Sequence, residues 1–286
     1  MHIAVLGAGI MGSALAERLI QGGHTVAVYN RTADKMKNVV AQGAHAFSNA
    51  SQAVKASDAA ILMLADINAI NAVLFGMPRV SFKNRTIIQM STISPDESLR
   101  LAKRIQRLGG SYFECPVLGS KEEAKAGTLI LMFGGKREVF EQWTPFLSPL
   151  GKSLRYIGEV GSASGMKLAL NQLIAGLGAA FSLSLAFVES STIDKELFME
   201  IVRKSALSAP MFDKKWERLV TRRYDGPNFP TKLLLKDVNL FLKEAKRKKL
   251  NVDSLAGIRR TLETAIKSGQ ADVDYISIIE TMRPRR

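Results

Sequence analysis

The sequence predicts an α/β protein in which a doubly wound parallel sheet is followed by an all-α domain. In the first half of the 286-residue chain, short apolar runs alternate with helical patterns, which is typical of parallel strands joined by right-handed crossovers. After about Gly161 the strand-like runs disappear, and helical periodicity continues to the end of the chain. These observations predict two domains, residues 1–161 and residues 162–286.

The strands of the first domain are predicted where apolar and β-branched residues cluster between turn signals. They are His2–Leu6, Thr25–Tyr29, Ala59–Leu64, Thr86–Gln89, Ser111–Glu114 and Leu129–Phe133. Helical patterns lie between them at Met11–Gln21, Ala33–Gln42 and Ser94–Leu108. Glycines follow each of these helices, and glycine is the residue that most often ends a helix.

The second domain is predicted to be entirely helical. Its helices are Gly165–Ser190, Lys195–Ser205, Met211–Thr221, Thr231–Lys248, Ser254–Ser268 and Tyr275–Arg283. Asp194 and Asp253 each precede a helix and are predicted to cap it.

The helix that opens the second domain resembles a membrane span in length. From 168 to 188 the chain has 21 residues without a charge, which is about enough to cross a bilayer. However, Asn171, Gln172, Ser182 and Ser184 interrupt this stretch, and many of its apolar residues are small. We therefore expect a helix buried between domains or subunits and no membrane span.

Composition limits the class of protein. The chain has 47% hydrophobic and 23% charged residues, which is typical of a globular protein and excludes a disordered or collagen-like chain. A single cysteine, Cys115, cannot form an internal disulfide. The apolar Ile3–Leu6 begins directly after Met1-His2, without the basic region of a signal peptide. The sequence therefore predicts a cytoplasmic protein.

The charge is uneven along the chain. The net charge is +14, and residues 201–286 hold 20 basic and 10 acidic groups, hence +10 of it. A basic region of this kind favours nucleic acid, a membrane surface or a small anion as partner, or is only a solvated surface.

A glycine motif joins the first strand to the first helix. Residues 7–12 read Gly-Ala-Gly-Ile-Met-Gly, the G-x-G-x-x-G pattern of a Rossmann dinucleotide-binding turn. Gly7 is needed for the tight turn, Gly9 for close approach of the pyrophosphate, and Gly12 for helix–strand packing. Ile10 and Met11 open the helix whose N-terminus would receive the anion. The first domain is therefore predicted to be a Rossmann domain that binds a nicotinamide dinucleotide.

The residues after the second strand predict which dinucleotide is bound. An NAD-preferring site offers a carboxylate there to the ribose 2′-hydroxyl. This chain has Asn30, Arg31 and Thr32 instead. A guanidinium and a hydroxyl suit a 2′-phosphate, which a carboxylate would repel. We therefore predict NADPH rather than NADH as the cofactor.

Further motifs occur in order along nearly the whole chain. They are Leu62-Met-Leu-Ala-Asp66, Met90-Ser-Thr-Ile-Ser-Pro95, Glu114-Cys-Pro-Val-Leu-Gly-Ser120, Gly161-Ser-Ala-Ser-Gly-Met-Lys167 with Asn171, and Phe229 with Leu235-Lys-Asp237. Together with the glycine turn, they resemble the β-hydroxyacid dehydrogenase family. That family includes 3-hydroxyisobutyrate dehydrogenase, tartronate semialdehyde reductase and the glyoxylate/succinic semialdehyde reductases.

The resemblance implies which residues contact the cofactor and the substrate. Cofactor contacts are expected from Leu64, Ala65, Asn68, Thr92 and Lys236. Substrate contacts are expected from Ser91, Leu118, Gly119, Ser120, Phe229 and Asp237. Three positions depart from the family pattern: Leu118 replaces a serine that helps to hold a carboxylate, and Ser120 and Ala163 each replace a glycine. These departures leave the identity of the acid substrate open.

The resemblance also assigns the catalytic pair, Lys167 and Asn171. The two residues are four apart and share one helix face. A lysine at the start of an apolar helix is unusual, and partial desolvation would lower its pKa toward neutrality and make it a general acid or base. Lys167 would exchange a proton with the substrate oxygen while the cofactor exchanges hydride with the carbon. Asn171 would hold the lysine or the hydroxyl.

The sequence thus predicts an NADPH-dependent oxidoreductase that acts on a small β-hydroxyacid, semialdehyde or 2-oxo acid. No metal is expected, because His2, His24 and His45 stand at no metal-ligand spacing. The resemblance implies a homodimer or homotetramer.

Three alternatives remain open. One is an imine reductase of the same fold, against which Lys167 argues. The others are a nucleic-acid binder, suggested by the basic segments 243–249 and 283–286, and a non-catalytic NADPH-binding scaffold.

Overall fold

The computed structural model describes residues 1–77 and 80–284 and divides into two compact units, Met1–Leu168 and Ala169–Arg286. This division lies inside a long helix, whereas the sequence placed the boundary between residues 161 and 162. The first turns of the helix belong to the first unit and the remainder to the second.

The first unit is built on one mixed sheet. Its described strands are β1 (His2–Leu6), β2 (Thr25–Tyr29), β3 (His45–Ala46), β4 (Ala59–Leu62), β5 (Thr86–Gln89), β6 (Ser111–Glu114), β7 (Val117–Leu118), β8 (Leu129–Gly134) and β9 (Gly151–Gly158). Their order is β3-β2-β1-β4-β5-β6-β8-β7, with β9 beside β8. Strands β1 to β6 pair in parallel, and β8 runs antiparallel to β6 and β7. This confirms the doubly wound fold.

Helices cover both faces of the sheet. They are α1 (Ile10–Gln21), α2 (Lys37–Val40), α3 (Ala50–Lys55), α4 (Ile67–Phe75), α5 (Pro95–Arg107), α6 (Lys121–Ala126) and α7 (Arg137–Leu147), followed by the first turns of α8 (Ser162–Ser190). Along β1, Ile3 and Val5 belong to one buried cluster and Ala4 and Leu6 to another. Both faces of the sheet are therefore buried, as expected for a parallel sheet.

Several sequence expectations for the first unit need correction. The strand predicted to reach Leu64 ends at Leu62, because the Leu64 N–H bonds to the Ser91 hydroxyl and leaves the sheet. The helix predicted over Ala33–Gln42 is a 3₁₀ turn at Ala33–Met36 followed by the short α2. The strands β3, β7 and β9 were not predicted. The first two have only two residues each, and the burial along β9 does not alternate, so they carry little periodic signal.

The second unit is helical in its described part, as predicted. It contains the remainder of α8 and then α9 (Lys195–Lys204), α10 (Pro210–Thr221), α11 (Thr231–Arg247) and α12 (Asp253–Lys267). The segment predicted as a helix over Tyr275–Arg283 is a 3₁₀ helix at Tyr275–Thr281. The unit has its own core, in which Phe181 stacks on Phe212 at 4.2 Å between ring centroids.

Of the two predicted caps, one is confirmed. The Asp194 side chain accepts a hydrogen bond from the Glu196 N–H at 2.9 Å. The prediction for Asp253 is wrong, because Asp253 is the first helical residue of α12 and its own N–H bonds to Asn251.

One helix among the described residues, α8, is long and apolar enough to span a membrane by length and composition. One side of it is nevertheless built into the core of the second unit through Ala175, Leu185 and Ala186. The other side exposes Leu177 and Phe187. The helix therefore has a packed face and an open apolar face.

Candidate cofactor and catalytic site

The glycine turn after β1 has the geometry that the motif requires. Gly7 has a φ of +109°, and a Cβ at this position would collide with the Met63 carbonyl oxygen. A Cβ on Gly12 would collide with the Gly7 carbonyl, so the first turn of α1 packs directly on the end of the strand. At Gly9 a Cβ would meet no described atom within 4 Å. The turn therefore leaves open space beside Gly9.

The first turn of α1 is available to an anion. Gly9 is the N-cap and supplies no side-chain hydrogen bond, and the first turn has no acidic residue. Helices α4 and α5, by contrast, begin with Asp66 and Ser94 side chains that accept backbone N–H groups. Ile10 is exposed and Met11 is half-buried. Backbone N–H groups at such a helix start, together with the helix dipole, favour a phosphate.

The end of β2 lies beside this turn. Leu6 pairs with Tyr29 in the parallel register, and the Gly7 N–H donates to the Tyr29 carbonyl at 2.8 Å. The Asn30 side chain donates to the Thr32 carbonyl at 2.9 Å and so shapes the loop. Arg31 is exposed, and no hydrogen bond or ion pair engages it within the described part of the chain.

The next acidic residue after β2 is already paired. Asp34 forms an ion pair with Lys37 at 2.8 Å. The loop therefore presents an exposed guanidinium and no unpaired carboxylate before residue 37.

The loop after β4 is held by a buried serine. The Ser91 hydroxyl accepts from the Leu64 N–H at 2.8 Å and donates to the Leu62 carbonyl at 3.2 Å. Ser91 is only 2% exposed. The substrate contact expected of Ser91 stays a prediction, and in this structure its hydroxyl holds the loop that carries Leu64 and Ala65.

Two other expected cofactor residues flank this loop. Thr92 follows Ser91 and is half-buried, and Asn68 is exposed in the first turn of α4. Leu62 pairs with Leu6 across β4 and β1, so the loop leaves the same carboxyl edge of the sheet as the glycine turn. In a doubly wound sheet, this edge is where ligands bind.

The expected substrate loop contains a glycine that no other residue could replace without strain. Gly119 has a φ of +140°, and a Cβ there would lie 2.6 Å from Cδ2 of Leu129. Leu118 is half-buried in β7 and pairs with Ile130. The Ser120 hydroxyl donates to the Glu123 carboxylate at 2.5 Å at the start of α6. The Ser120 hydroxyl is therefore engaged in beginning that helix.

A buried carboxylate that belongs to one of the sequence motifs, but to which the sequence assigned no role, organises the start of α8. Glu114, at the end of β6, is fully buried. Its Oε1 accepts from the backbone N–H groups of Gly161, Ala163 and Ser164 at 2.9, 2.8 and 3.1 Å. Its Oε2 accepts from the hydroxyls of Ser98 and Ser164 at 2.5 and 2.6 Å. The feature of the sequence that could have pointed to this role is an acidic residue at the end of a predicted buried strand.

The Glu114 charge affects its neighbours. Burial, reinforced by that charge, raises the pKa of Tyr112 well above its ordinary value. The same two causes raise the pKa of the buried Cys115 thiol. A protonated, buried thiol is a poor nucleophile.

The second unit holds a polar pair inside its helices. Asn171 is 2% exposed, and its Nδ2 donates to Oδ2 of Asp237 at 2.6 Å. The Lys236 ammonium lies 2.9 Å from the other oxygen, an ion-pair distance without hydrogen-bond alignment. The Asn171 Oδ1 atom is buried and has no hydrogen-bond partner among the described residues. A buried acceptor of this kind suits a donor brought by a substrate or by a neighbouring lysine.

The remaining expected residues fall on both units. Lys167 is half-buried in α8, four residues before Asn171, and belongs to the first unit. Phe229 belongs to the second unit and meets Tyr275 edge-on at 5.9 Å between ring centroids. Among residues 1–77 and 80–284, no group of three or more His, Cys, Asp and Glu could hold a metal ion.

Known protein families match the chain along most of its length. A family model described as the NAD-binding domain of 6-phosphogluconate dehydrogenase matches residues 2–158. A second, described as NAD-binding of NADP-dependent 3-hydroxyisobutyrate dehydrogenase, matches residues 161–282. The chain is 31% identical to glyoxylate/succinic semialdehyde reductase 1 of Arabidopsis thaliana, covering 99% of each. It is 32% identical to 2-hydroxy-3-oxopropionate reductase of Escherichia coli, covering 99% of this chain and 97% of that protein.

Solved structures match the fold. A 3-hydroxyisobutyrate dehydrogenase from Salmonella typhimurium superposes with a TM-score of 0.89 at 22% identity, covering 98% of this chain and 99% of that one. An imine reductase from Myxococcus stipitatus superposes with a TM-score of 0.68 at 21% identity, covering 99% of this chain and 100% of that one. At these identities, the structural likeness establishes the fold alone.

Proposed function

The chain belongs to the β-hydroxyacid dehydrogenase family, and on that premise we propose that it is an NADPH-dependent reductase of a small semialdehyde or 2-oxo acid. The observation that carries the proposal is the buried Asn171, which is bound to Asp237 through Nδ2 and presents an unpartnered Oδ1 on the helix that also bears Lys167. The decisive experiment is a turnover screen with NADPH and NADH over short semialdehydes and 2-oxo acids.

The residues of the first unit fit a nicotinamide dinucleotide. The pyrophosphate would lie at the open first turn of α1, where Gly9 leaves room and no side chain caps the helix. Arg31 is exposed beside that turn and would pair with a 2′-phosphate. Asp34, the next acidic residue, is engaged by Lys37 in an ion pair. These features support NADPH as the cofactor.

We assign the proton transfer to Lys167. A bound nicotinamide cofactor supplies the hydride that reduces a carbonyl carbon. Lys167 would donate a proton to the carbonyl oxygen as negative charge develops there, and would accept it back in the oxidative direction. The Asn171 Oδ1 atom would accept a hydrogen bond from the Lys167 ammonium or the product hydroxyl. Asp237 fixes the Asn171 amide so that the buried Oδ1 is the acceptor that has no hydrogen-bond partner among the described residues.

The substrate class follows from the relatives and from the loop that departs from their pattern. Glyoxylate and succinic semialdehyde, named for the Arabidopsis relative, both carry a carboxylate next to or near a carbonyl. Gly119 keeps its backbone donor, while Leu118 replaces the expected hydroxyl and Ser120 is engaged with Glu123. We therefore propose a small carboxylate-bearing substrate held mainly by backbone groups at this loop.

An imine reductase of the same fold is the second candidate, supported by the structural match to such enzymes. Lys167 favours the carbonyl reductase, because a protonated lysine suits a developing alkoxide.

Two further alternatives predict no catalysis. A non-catalytic scaffold would bind NADPH but turn over none of the semialdehydes and 2-oxo acids in the screen. Nucleic-acid binding would be seen as an affinity for DNA that falls steeply with salt.

We also propose that the open face of α8 packs against a second copy of the chain. Its exposed apolar residues recur at helical spacing and form a stripe: Leu173, Leu177, Leu183 and Phe187. The opposite face is packed into the core of the second unit, which supports a protein partner for the open face over a bilayer. A second copy, presenting the same stripe, would cover it in a closed twofold interface.

We also propose a cytoplasmic location. The proposal rests on the single cysteine, Cys115, which is buried and has no second cysteine with which to form an internal disulfide.

A further inference from the structure

We propose that Glu114 is a positioning residue, whose buried carboxylate fixes the first turn of α8 and thereby the place of Lys167. The inference rests on the proposed function, in which Lys167 is the proton donor. It concerns a residue that touches neither substrate nor cofactor in that scheme.

Glu114 connects three elements of the first unit. It stands at the end of β6 and accepts from Ser98 on α5 and from the start of α8. A buried carboxylate is costly unless donors surround it, and here two hydroxyls and three backbone N–H groups do so. The N–H groups of Ala163 and Ser164 lie in the first turn of α8, where backbone N–H groups have no intrahelical partner, and that of Gly161 directly precedes the helix. The carboxylate therefore supplies the hydrogen-bond acceptors that these N–H groups lack within the helix. It also supplies the negative charge that the dipole at a helix N-terminus favours.

The sequence makes room for this side chain. Gly134 on β8 pairs with Glu114 in the sheet register, and a Cβ at Gly134 would collide with the Glu114 carboxylate. Gly161 has a φ of +101°, which directs the chain into α8 just where its N–H reaches Oε1. Two glycines thus serve the same contact.

The consequence concerns Lys167. Ser164, which bonds to Glu114 through both its N–H and its hydroxyl, stands three residues before Lys167 in the same helix. The lysine is therefore attached to the sheet through less than about one turn of helix. Proton transfer depends on donor position, and a shift of about 1 Å can reduce a rate about 100-fold. A loosened first turn would thus lower turnover without altering the cofactor turn at Gly7–Gly12.

The test compares two variants of buried acids. Glu114→Gln keeps the size of the side chain, but the amide brings two N–H groups into a cluster of donors. Glu17→Gln is the matched control, since Glu17 is also buried in the first unit but pairs with Lys125. The readouts are amide hydrogen exchange at residues 161–168, kcat and the KM for NADPH.

For Glu114→Gln we expect exchange at residues 161–168 to be at least about tenfold faster. We expect kcat to fall at least about tenfold while the KM for NADPH stays within about twofold. Glu114→Asp, which keeps the charge, should recover part of the lost kcat. Glu17→Gln should leave both exchange at 161–168 and kcat close to wild type. If Glu114→Gln does not fold, Ser98→Ala and Ser164→Ala each remove one hydroxyl donor and are read in the same way.

Each outcome decides one part of the proposal. Unchanged exchange at 161–168 would show that Glu114 does not anchor α8. Faster exchange with a kcat no lower than that of Glu17→Gln would overturn the positioning of Lys167. A wild-type protein without turnover would remove the proposed function, and the exchange measurement would then still decide whether Glu114 anchors the helix.

Discussion

Asn171 donates a 2.6 Å hydrogen bond to Asp237, 66 residues further along the chain, and both side chains are buried. The bond orients the asparagine amide, so that its nitrogen faces the carboxylate and its oxygen has no described partner. Asn171→Leu would leave the Asp237 carboxylate without this donor, and losing a buried hydrogen bond to a charged group costs about 1.5–3 kcal/mol.

We therefore expect Asn171→Leu to lower the free energy of unfolding by about 2 kcal/mol and to reduce kcat as well. Urea unfolding measures the first effect and steady-state kinetics the second. Asn239→Leu, at an exposed position of α11, is the control. If Asn171→Leu is as stable as wild type, the hydrogen bond between Asn171 and Asp237 does not stabilise the fold.

Lys167→Ala should abolish most of the turnover and spare cofactor binding. General acid catalysis contributes about 10²–10⁴-fold to a rate, and kcat should fall by that factor. The Kd for NADPH, measured by fluorescence titration, should remain near that of wild type. Lys152→Ala, at an exposed lysine of β9, controls for the loss of one positive charge. Full activity in Lys167→Ala would show that another group carries the proton.

Arg31 should determine the preference for NADPH. Its side chain is exposed beside the α1 turn, and removing a charge-assisted phosphate contact should cost about 1.5–3 kcal/mol of binding, or about 10- to 150-fold in kcat/KM with NADPH. Activity with NADH should change little, since NADH has no 2′-phosphate. Lys103→Ala on α5 is the charge control. Equal losses with both cofactors in Arg31→Ala would argue against the assignment.

The apolar stripe on α8 should hold the oligomer together. Phe187 is 66% exposed, and Phe187→Glu would place a charge in an interface that excludes water. We expect wild type to sediment as a dimer or larger and Phe187→Glu to shift toward monomer. Leu250→Glu, at an apolar residue exposed outside the stripe, should leave the assembly intact. A monomeric wild type, or one that sediments only with detergent or lipid, would contradict the proposed twofold contact.

His24 should make the fold less stable in acid. Burial first, and then the charge of the N-terminal ammonium, lower the pKa of His24 from its ordinary value of 6.5. A lowered pKa means that the folded state binds fewer protons than the unfolded state, so stability is retained above about pH 6.5 and falls as the pH drops through the lowered pKa. The urea midpoint should therefore fall less between about pH 8 and pH 5 in His24→Gln than in wild type. If the urea midpoints of wild type and His24→Gln fall in parallel with pH, His24 is not the cause of the loss of stability in acid.

The sequence by itself determined the fold class, the nucleotide turn and most of the helices. The signals for these features are local. Glycines at 7, 9 and 12 act within one turn, and their steric demands follow from the backbone beside them. The strand at Ser111–Glu114 and the capped helix after Asp194 are recognised from adjacent residues in the same way.

Only the tertiary structure decided which polar groups are already engaged. Ser91 was expected at the substrate, yet its hydroxyl holds the backbone at Leu64, 27 residues away. Glu114 matched a motif, but its partners in α8 lie up to 50 residues further along the chain. A serine or glutamate is the same residue in the sequence whether its side chain faces a ligand or a buried N–H group. Its partner is therefore set by which strands and helices the fold brings together, and no local pattern records that choice.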